Sequence, residues 1–177
     1  MGEVPFSMSE DLDKLCKEAV KLGATEAKTI RSNDVVTAEW VRLKCQFGCG
    51  GYNQHLTCPP FSPTPSVMRQ ILKEYEWAIL LKFKPPWPGK IRTVISGIER
   101  MVFLSGYYKA FGLASGPCEL CEDCNVKEAC KNPDKARPSM EACGIDVYAT
   151  ARGAGLPIKV VRTHDEIPTY YGLVLVG

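Results

Sequence analysis

Trp77-Ala-Ile-Leu-Leu-Lys-Phe83 is a short, almost wholly apolar run, and Pro85-Pro-Trp-Pro-Gly89 follows it after a single lysine. An apolar run of this length, bounded by turn residues, is typical of a strand that is buried on both faces. The prolines end it, because proline lacks the N–H that the interior of a strand or helix requires. We therefore expect a buried strand over residues 77–83.

Patterns on both sides of this run predict further helices and strands. Apolar residues recur at helical spacing in four segments: Ser9–Leu22, Ser66–Tyr75, Arg92–Phe111 and, after a capping Ser139, Met140–Ala154. β-branched and aromatic residues predict strands in three others: Glu26–Arg31, Pro157–Val161 and Tyr170–Val176. The segment Val35–Lys44 is compatible with either a helix or a strand. We therefore expect an α/β or α+β class, with a mixed sheet flanked by helices in a single domain over residues 1–177.

Composition and charge are those of an ordinary folded domain. Of the 177 residues, 45% are hydrophobic and 24% are charged, which excludes a disordered chain or a coiled-coil rod. The net charge is +2 without a long basic run, so we do not expect nucleic acid as a partner. No apolar stretch reaches the roughly 18 residues of a membrane span, and the N-terminus lacks the pattern of a secretory signal. We therefore expect a cytoplasmic protein that is not bound to a membrane.

Nine cysteines are the unusual feature of the composition, and seven of them fall into two groups. The second group is Cys118-Glu-Leu-Cys121-Glu-Asp-Cys124-Asn-Val-Lys-Glu-Ala-Cys130, within an aperiodic loop at 113–138. Thiolates two residues apart can reach the corners of one cubane, and bacterial ferredoxins use the related spacing C-x2-C-x2-C-x3-C-P. Zinc sites more often pair two separated C-x2-C units. The spacing therefore favours a [4Fe-4S] cluster at these cysteines, with zinc as the alternative.

The first group lies in a loop at about 45–60 and has the spacing C-x3-C-x8-C-P-P. Its cysteines are Cys45, Cys49 and Cys58. Glycines between them let main-chain amides approach sulfur atoms, and the Cys-Pro pair resembles ferredoxin loops. This group is therefore predicted to form a second metal-binding loop.

Three thiolates leave one position of a cubane open. Cys143, His55, a partner or a substrate could fill it, and an open iron is a place where Lewis-acid chemistry can occur. The alternative is a single centre, either zinc or one four-cysteine cluster, with ligands from both groups. Because spacing alone does not fix which loops share a site, both one and two centres stay open.

The residues around the two groups have simpler interpretations. Cys16 lies on the apolar face of the first predicted helix, where we expect it to pack as a small hydrophobic residue, and a core position is also the simplest role for Cys143. Arg42, Lys44 and Arg137 could offset the negative charge of a cluster, although ordinary solvation explains them too. No motif for a nucleotide site or a hydrolase is present.

Taken together, the motifs resemble a prokaryotic family, seen often in anaerobic archaea and bacteria, that is known only as predicted metal-binding proteins of unknown function. The matching stretches are Trp40-Val-Arg-Leu-Lys-Cys45, Cys49, Cys58-Pro-Pro60, Pro117-Cys118 to Cys130, and Arg137-Pro-Ser-Met-Glu-Ala-Cys-Gly-Ile-Asp146. The resemblance spans nearly the whole chain. It implies metal binding by the seven cysteines of the two groups, but no reaction, and Cys143 is not expected to be a fixed feature of the family.

We therefore expect an iron–sulfur protein, with one or two [4Fe-4S] clusters, that acts in electron transfer or in a redox step with a protein partner. The first alternative is an enzyme whose three-cysteine cluster has an open iron. The second is a zinc-stabilised interaction module without redox chemistry. The sequence patterns do not separate an enzyme from a non-catalytic carrier.

Overall fold

The computed structural model describes residues 8–86 and 91–177. In chain order, the elements are α1 (Met8–Lys21), β1 (Glu26–Arg31), α2 (Trp40–Gly48), α3 (Pro65–Leu72), β2 (Trp77–Phe83), α4 (Ile91–Leu104), β3 (Phe111–Leu113), α5 (Val147–Gly153) and β4 (Tyr170–Val176). Two 3-10 turns, Ser32–Asp34 and Glu141–Cys143, precede α2 and α5. None of the helices in these residues is both long enough and apolar enough to cross a bilayer. The chain is an α+β protein.

The four strands form one sheet in the order β1-β2-β4-β3. The strand predicted at 77–83 is confirmed as β2, which pairs along its length with both β1 and β4. All three pairings are antiparallel. We expected a mixed sheet, and the sheet is instead wholly antiparallel. The chain leaves β1 at Arg31 and re-enters the sheet at Trp77, which lies directly opposite Arg31. The intervening segment therefore returns to the end of the sheet that it left, instead of crossing over.

Helices cover both faces of the sheet. Alternate residues of β2 point to opposite faces, so Ala78 and Leu80 belong to one apolar cluster while Ile79 and Leu81 belong to the other. Helices α1 and α4 pack on the face of Ile79, whereas α3, α5 and the turn before α5 pack on the face of Leu80. The expectation that β2 is buried on both faces is confirmed.

Helix α4 approaches the sheet closely because two strand residues beneath it are glycines. A Cβ at Gly172 would lie 2.5 Å from Cδ1 of Ile95, and a Cβ at Gly112 would lie 2.6 Å from Cγ2 of the same side chain. Ile95 is fully buried. The isoleucine therefore occupies the space that side chains at these two positions would need.

The helix predicted over Arg92–Phe111 is shorter than its apolar pattern. It ends at Leu104, and Gly106 then adopts a φ of +102°, which glycine tolerates and other residues rarely do. Phe111 instead begins β3. The apolar residues beyond Leu104 thus belong to a turn and a strand.

The helix predicted over Met140–Ala154 begins only at Val147. Gly144, with a φ of +76°, ends the 3-10 turn before it. A Cβ at Gly144 would lie 2.2 Å from Cγ of Pro65, so this glycine also makes a close contact possible. Asp146 then caps α5 by accepting a hydrogen bond from the main-chain N–H of Ala149.

Two other segments were ambiguous or wrong at the sequence level. Residues 40–48 form α2, which resolves the uncertain segment Val35–Lys44 in favour of a helix over its second half. The strand predicted at Pro157–Val161 is not formed, because Val160 and Val161 are 60% and 45% exposed and no strand of the described sheet pairs with them. By contrast, residues 115–138 carry no described helix or strand, as the aperiodic sequence predicted.

Candidate metal centre

The first cysteine group lies at the end of α2 and in the turns that follow. Cys45 occupies the last turn of the helix and Cys49 comes directly after it. Cys58 is 6% exposed, whereas Cys49 is exposed. Burial raises the pKa of the Cys45 and Cys58 thiols, and the neighbouring thiol of Cys49 adds to both shifts. These thiols are therefore protonated at neutral pH in the absence of metal, and a metal must displace their protons to bind.

The second cysteine group surrounds one small cavity. Cys118, Cys121, Cys124 and Cys130 all line it, and it holds about 290 Å³ of empty space, part of which is open to solvent. The other wall residues come from both loops: His55, Leu56, Thr57, Leu120, Asn132 and Ala136. The structure thus brings together the four cysteines that the sequence grouped.

Three N–H groups are directed at sulfur atoms of this cavity. Asn132 donates to Sγ of Cys121 from its side-chain Nδ2 at 3.1 Å, and to Sγ of Cys130 from its main-chain N at 3.4 Å. The main-chain N of Leu56 donates to Sγ of Cys124 at 3.5 Å. Hydrogen bonds of this kind tune the potential of a bound cluster. Asn132 was missed in the sequence, although its position two residues after Cys130 was a signal.

The two cysteine loops are in direct contact. The main chain of Cys118, in the second loop, lies close enough to the Cys58 thiol in the first to counter part of the rise in its pKa that burial causes. A Cβ at the buried Gly51 would lie 3.1 Å from Cβ of Pro117 and 3.4 Å from Sγ of Cys58. The amide of Gly51 also donates to Sγ of Cys49 at 3.4 Å. The expectation that glycines let main-chain amides reach sulfur is therefore confirmed at Gly51.

Arg92 of α4 is a buried cation between the two groups. It is 5% exposed, and its guanidinium donates to the main-chain oxygens of Gly116, Pro117 and Arg137 at 2.9 to 3.0 Å. Burial lowers the pKa of Arg92, while the nearby thiols of Cys118 and Cys58 counter that shift. Three neutral oxygens accept its hydrogen bonds, and the carboxylate of Glu119 is a further group that counters the lowering of its pKa. No local sequence pattern could have revealed this role.

Main-chain hydrogen bonds join the two ends of the second loop. The main-chain N of Ala114 donates to the oxygen of Pro138 at 2.7 Å, and the N of Met140 donates back to the oxygen of Ala114 at 3.0 Å. Glu99 of α4 forms a bidentate ion pair with Arg137, in which Nε of the arginine lies 2.5 Å from Oε2 and Nη2 lies 2.6 Å from Oε1. This hydrogen-bonded pair raises the pKa of Arg137. The flanking arginine noted in the sequence thus anchors the loop to α4.

Cys143 lies beside the first group and is fully buried. Burial raises its pKa to about 12, and the ionisable groups that act on it are Arg42, Glu141, Cys45 and Cys58. Glu141 has a buried carboxylate oxygen, Oε2, with no hydrogen-bond partner in the described part of the chain. The sequence did not single out Glu141.

The other residues that the sequence singled out lie elsewhere. His55 lines the cavity of the second group, although it belongs to the first loop, and His164 lies in an exposed segment. Cys16 packs at the edge of the α1 and α4 cluster, where its Sγ lies 3.4 Å from Oγ1 of Thr29, as expected of a packing residue. Lys44 is exposed. Neither His164 nor Cys16 belongs to the two groups.

The donors around the second cavity fit a metal cofactor. All nine cysteines are free thiols, and four of them face one largely apolar cavity with N–H donors aimed at their sulfurs. Over residues 8–86 and 91–177, no three His, Cys, Asp or Glu side chains are placed as ligands of one ion. Thiols arranged around a shared cavity are the donor set that soft metals and iron–sulfur clusters use.

Comparison with protein families gives a match over most of the chain. The model of the family described as "Predicted metal-binding protein (DUF2284)" matches residues 28–176, a range that contains both cysteine groups and Cys143. Neither the comparison with curated proteins nor that with solved structures gave a match. The resemblance seen in the sequence motifs is thereby confirmed, and the chain belongs to this family of predicted metal-binding proteins.

Proposed function

We propose that Cys118, Cys121, Cys124 and Cys130 hold a [4Fe-4S] cluster, and that the protein uses it to pass electrons or to carry out a redox step with a protein partner. The observation that carries the proposal is the single cavity that all four thiols line. Four thiolates from one loop suffice to close a cubane.

The surroundings of the cavity support a cluster in preference to a single zinc ion. Zinc is usually held by two separated C-x2-C units, whereas three of these cysteines come from seven consecutive residues. The hydrogen bonds from Asn132 and Leu56 to three of the sulfurs are of the kind that sets the potential of a cluster. A cluster would supply one-electron chemistry, for which zinc has no redox state.

The chain's own residues would perform three tasks around such a cluster. The four cysteines would bind it, the side chains of Leu56, Leu120 and Ala136 would exclude water, and Arg92 would offset part of its negative charge. Offsetting that charge favours the reduced state, because reduction adds an electron.

Exposed apolar side chains beside the first group support contact with a protein partner. On α2, Trp40, Leu43 and Phe47 recur on one face of the helix and are 48%, 57% and 78% exposed. Large exposed apolar side chains that cluster in this way are characteristic of interaction surfaces. A partner bound there would lie next to Cys45 and Cys49.

The experiment that tests the proposal is anaerobic purification followed by a visible spectrum and counts of iron, sulfide and zinc. We expect a brown protein with broad absorption that bleaches with dithionite, because thiolate-bound ferric iron absorbs visible light. Cys121→Ala should lose the absorption of this cluster, while the matched variant Cys16→Ala should keep it. A colourless protein with stoichiometric zinc, or an unchanged Cys121→Ala spectrum, would contradict the proposal.

A further inference from the structure

We propose that Cys143 is the fourth ligand of a second metal centre, which it forms with Cys45, Cys49 and Cys58. The identity of the metal, a second [4Fe-4S] cluster, rests on the function proposed above, but the ligand set rests on the geometry of the first group alone. From the sequence alone, Cys143, His55, a partner or a substrate could fill the fourth ligand position of the first group.

Three hydrogen bonds hold the segment around Cys143 against the first group. The main-chain N of Ala38 donates to the oxygen of Gly144 at 2.9 Å, just before α2 begins. Sγ of Cys45 lies 3.8 Å from the main-chain oxygen of Glu141. Oγ of Ser62, four residues after Cys58, donates to the oxygen of Ala142 at 2.5 Å. The turn Glu141–Cys143 is thus fixed between α2 and the end of the first loop.

This packing brings the turn that carries Cys143 against Cys45 and against the end of the first loop. Cys45 and Cys58 are the thiols whose charges act on Cys143, and Cys49 acts in turn on both Cys45 and Cys58. Cys143 comes from a segment 85 residues after Cys58, so the spacing of the first group gives no sign of it. Cys58 and Cys143 are buried, Cys45 is half-buried and Cys49 is exposed. A site formed by these four cysteines would therefore lie at the edge of the core.

A half-buried cation, Arg42, accompanies these thiols, as the buried Arg92 accompanies the other group. Arg42 of α2 donates to the main-chain oxygens of Ser62 and Pro63 at 2.9 and 2.7 Å. Its charge acts on both Cys45 and Cys143, and its buried Nε has no hydrogen-bond acceptor in the described residues. Four thiolates around a cluster carry net negative charge, which the guanidinium of Arg42 would offset in part.

The competing ligands are less well placed or less suitable. His55 lines the cavity of the second group. Glu141 has a buried, unpartnered Oε2, but iron–sulfur clusters are bound chiefly by soft thiolate ligands. Four cysteine ligands leave no open iron, so this second centre would carry electrons and would not bind substrate. Glu141→Gln is therefore the control that separates the carboxylate from the thiol.

The test compares iron content and cluster type in Cys143→Ala and Cys16→Ala, each reconstituted anaerobically with ferrous iron and sulfide. We expect Cys16→Ala and Glu141→Gln to keep the wild-type content, about eight irons for two clusters, and Cys143→Ala to lose up to half of it. In a Cys124→Ala background, which lacks the proposed cluster of the second group, Cys143→Ala should change the remaining spectrum. Full iron and an unchanged spectrum in Cys143→Ala would overturn the inference.

A second test uses the wild-type protein and therefore does not depend on whether a variant folds. Brief oxidation with ferricyanide removes iron from a cubane that has only three protein ligands and leaves a [3Fe-4S] cluster, which electron paramagnetic resonance detects. We expect no such signal, and a strong one would overturn the inference while leaving the proposed cluster of the second group intact.

Two results separate this inference from the proposed function. If Cys124→Ala removes all the iron, the two groups share one centre, and the inference is wrong although the protein is still an iron–sulfur protein. If the purified protein contains zinc, the proposed function is wrong. The ligand set is then tested by Co²⁺ titration, in which an unchanged thiolate spectrum in Cys143→Ala would overturn it.

Discussion

The Nε–H of Arg92 donates a 2.9 Å hydrogen bond to the main-chain oxygen of Arg137, and the same guanidinium reaches the oxygens of Gly116 and Pro117 at the other end of the second cysteine loop. One side chain of α4 therefore holds both ends of the loop. Closing a loop of this length costs conformational entropy, and the fixed guanidinium fork offsets part of that cost.

Arg92→Lys should destabilise the protein and loosen the second loop. Lysine retains the charge but cannot donate to three oxygens in the fixed geometry of a guanidinium, so the main-chain oxygens of Gly116, Pro117 and Arg137 lose charge-assisted hydrogen bonds. We expect a loss of about 2 kcal/mol or more in urea unfolding. Arg100→Lys, on the exposed side of the same helix, is the control and should change stability by less than about 0.5 kcal/mol. Equal effects of the two substitutions would show that the Arg92 contacts contribute little.

Cys121→Ala should make residues 113–138 sensitive to protease. The loop has no helix or strand from residue 115 to 138, so under the proposed function its order would depend on ligand bonds to the cluster and on contacts such as Asn132 to Cys121. Limited proteolysis with mapping of the first cut by mass spectrometry measures the effect. The unsubstituted protein stripped of metal should be cut in the same region. Protection equal to that of the metal-loaded protein would mean that the loop is ordered without ligand bonds.

Gly172→Ala should destabilise the protein by about 1–3 kcal/mol through overpacking. The added Cβ would lie 2.5 Å from Cδ1 of Ile95, which can move, and 3.0 Å from the main-chain oxygen of Leu113, which cannot move easily. Gly97→Ala is the matched control in α4, because no atom lies within 4 Å of the Cβ it would add. That substitution should stabilise the helix by about 0.5–1 kcal/mol. Thermal unfolding of both variants distinguishes crowding from helix propensity.

Tyr171→Phe should remove part of the loss of stability at alkaline pH. Burial raises the pKa of Tyr171 to about 12, and its hydroxyl donates to the main-chain oxygen of Pro157 at 2.9 Å. Because an unfolded tyrosine ionises near its ordinary pKa of about 10, this group's stabilisation is complete below pH 10 and is lost as pH rises toward 12. We expect the phenylalanine variant to be about 1 kcal/mol less stable at pH 7, with the difference shrinking above pH 10. A constant difference from pH 8 to 11.5 would contradict this interpretation.

The sequence predicted the elements whose signal is local. β2 was found with its correct ends because an apolar run is bounded by charged and proline residues, and β1 and β4 followed from β-branched and aromatic content. The four cysteines of the second group were grouped by their short spacing, and in the fold they line one cavity. In each case, a handful of consecutive residues contains the whole signal.

What the sequence did not predict depends on partners far along the chain. Arg92 donates to residues 24 to 45 positions away, and Gly144, which ends the 3-10 turn, lies against Pro65 from far earlier in the chain. The antiparallel sheet follows from where the chain re-enters it, opposite Arg31, and no local pattern records that return. Cys143 likewise has the sequence context of a core residue and only in the fold lies beside Cys45.

The position of β4 has a consequence for how the protein is made. This strand follows both cysteine loops in the sequence, yet it lies inside the sheet between β2 and β3. On a ribosome, β3 and the second loop attached to it therefore have no sheet neighbour until β4 has emerged. Under the proposed function, cluster insertion would therefore be a late step in biogenesis. Arrested nascent chains that stop before Tyr170 should then retain no iron, whereas chains in which all of β4 has left the ribosome should retain it.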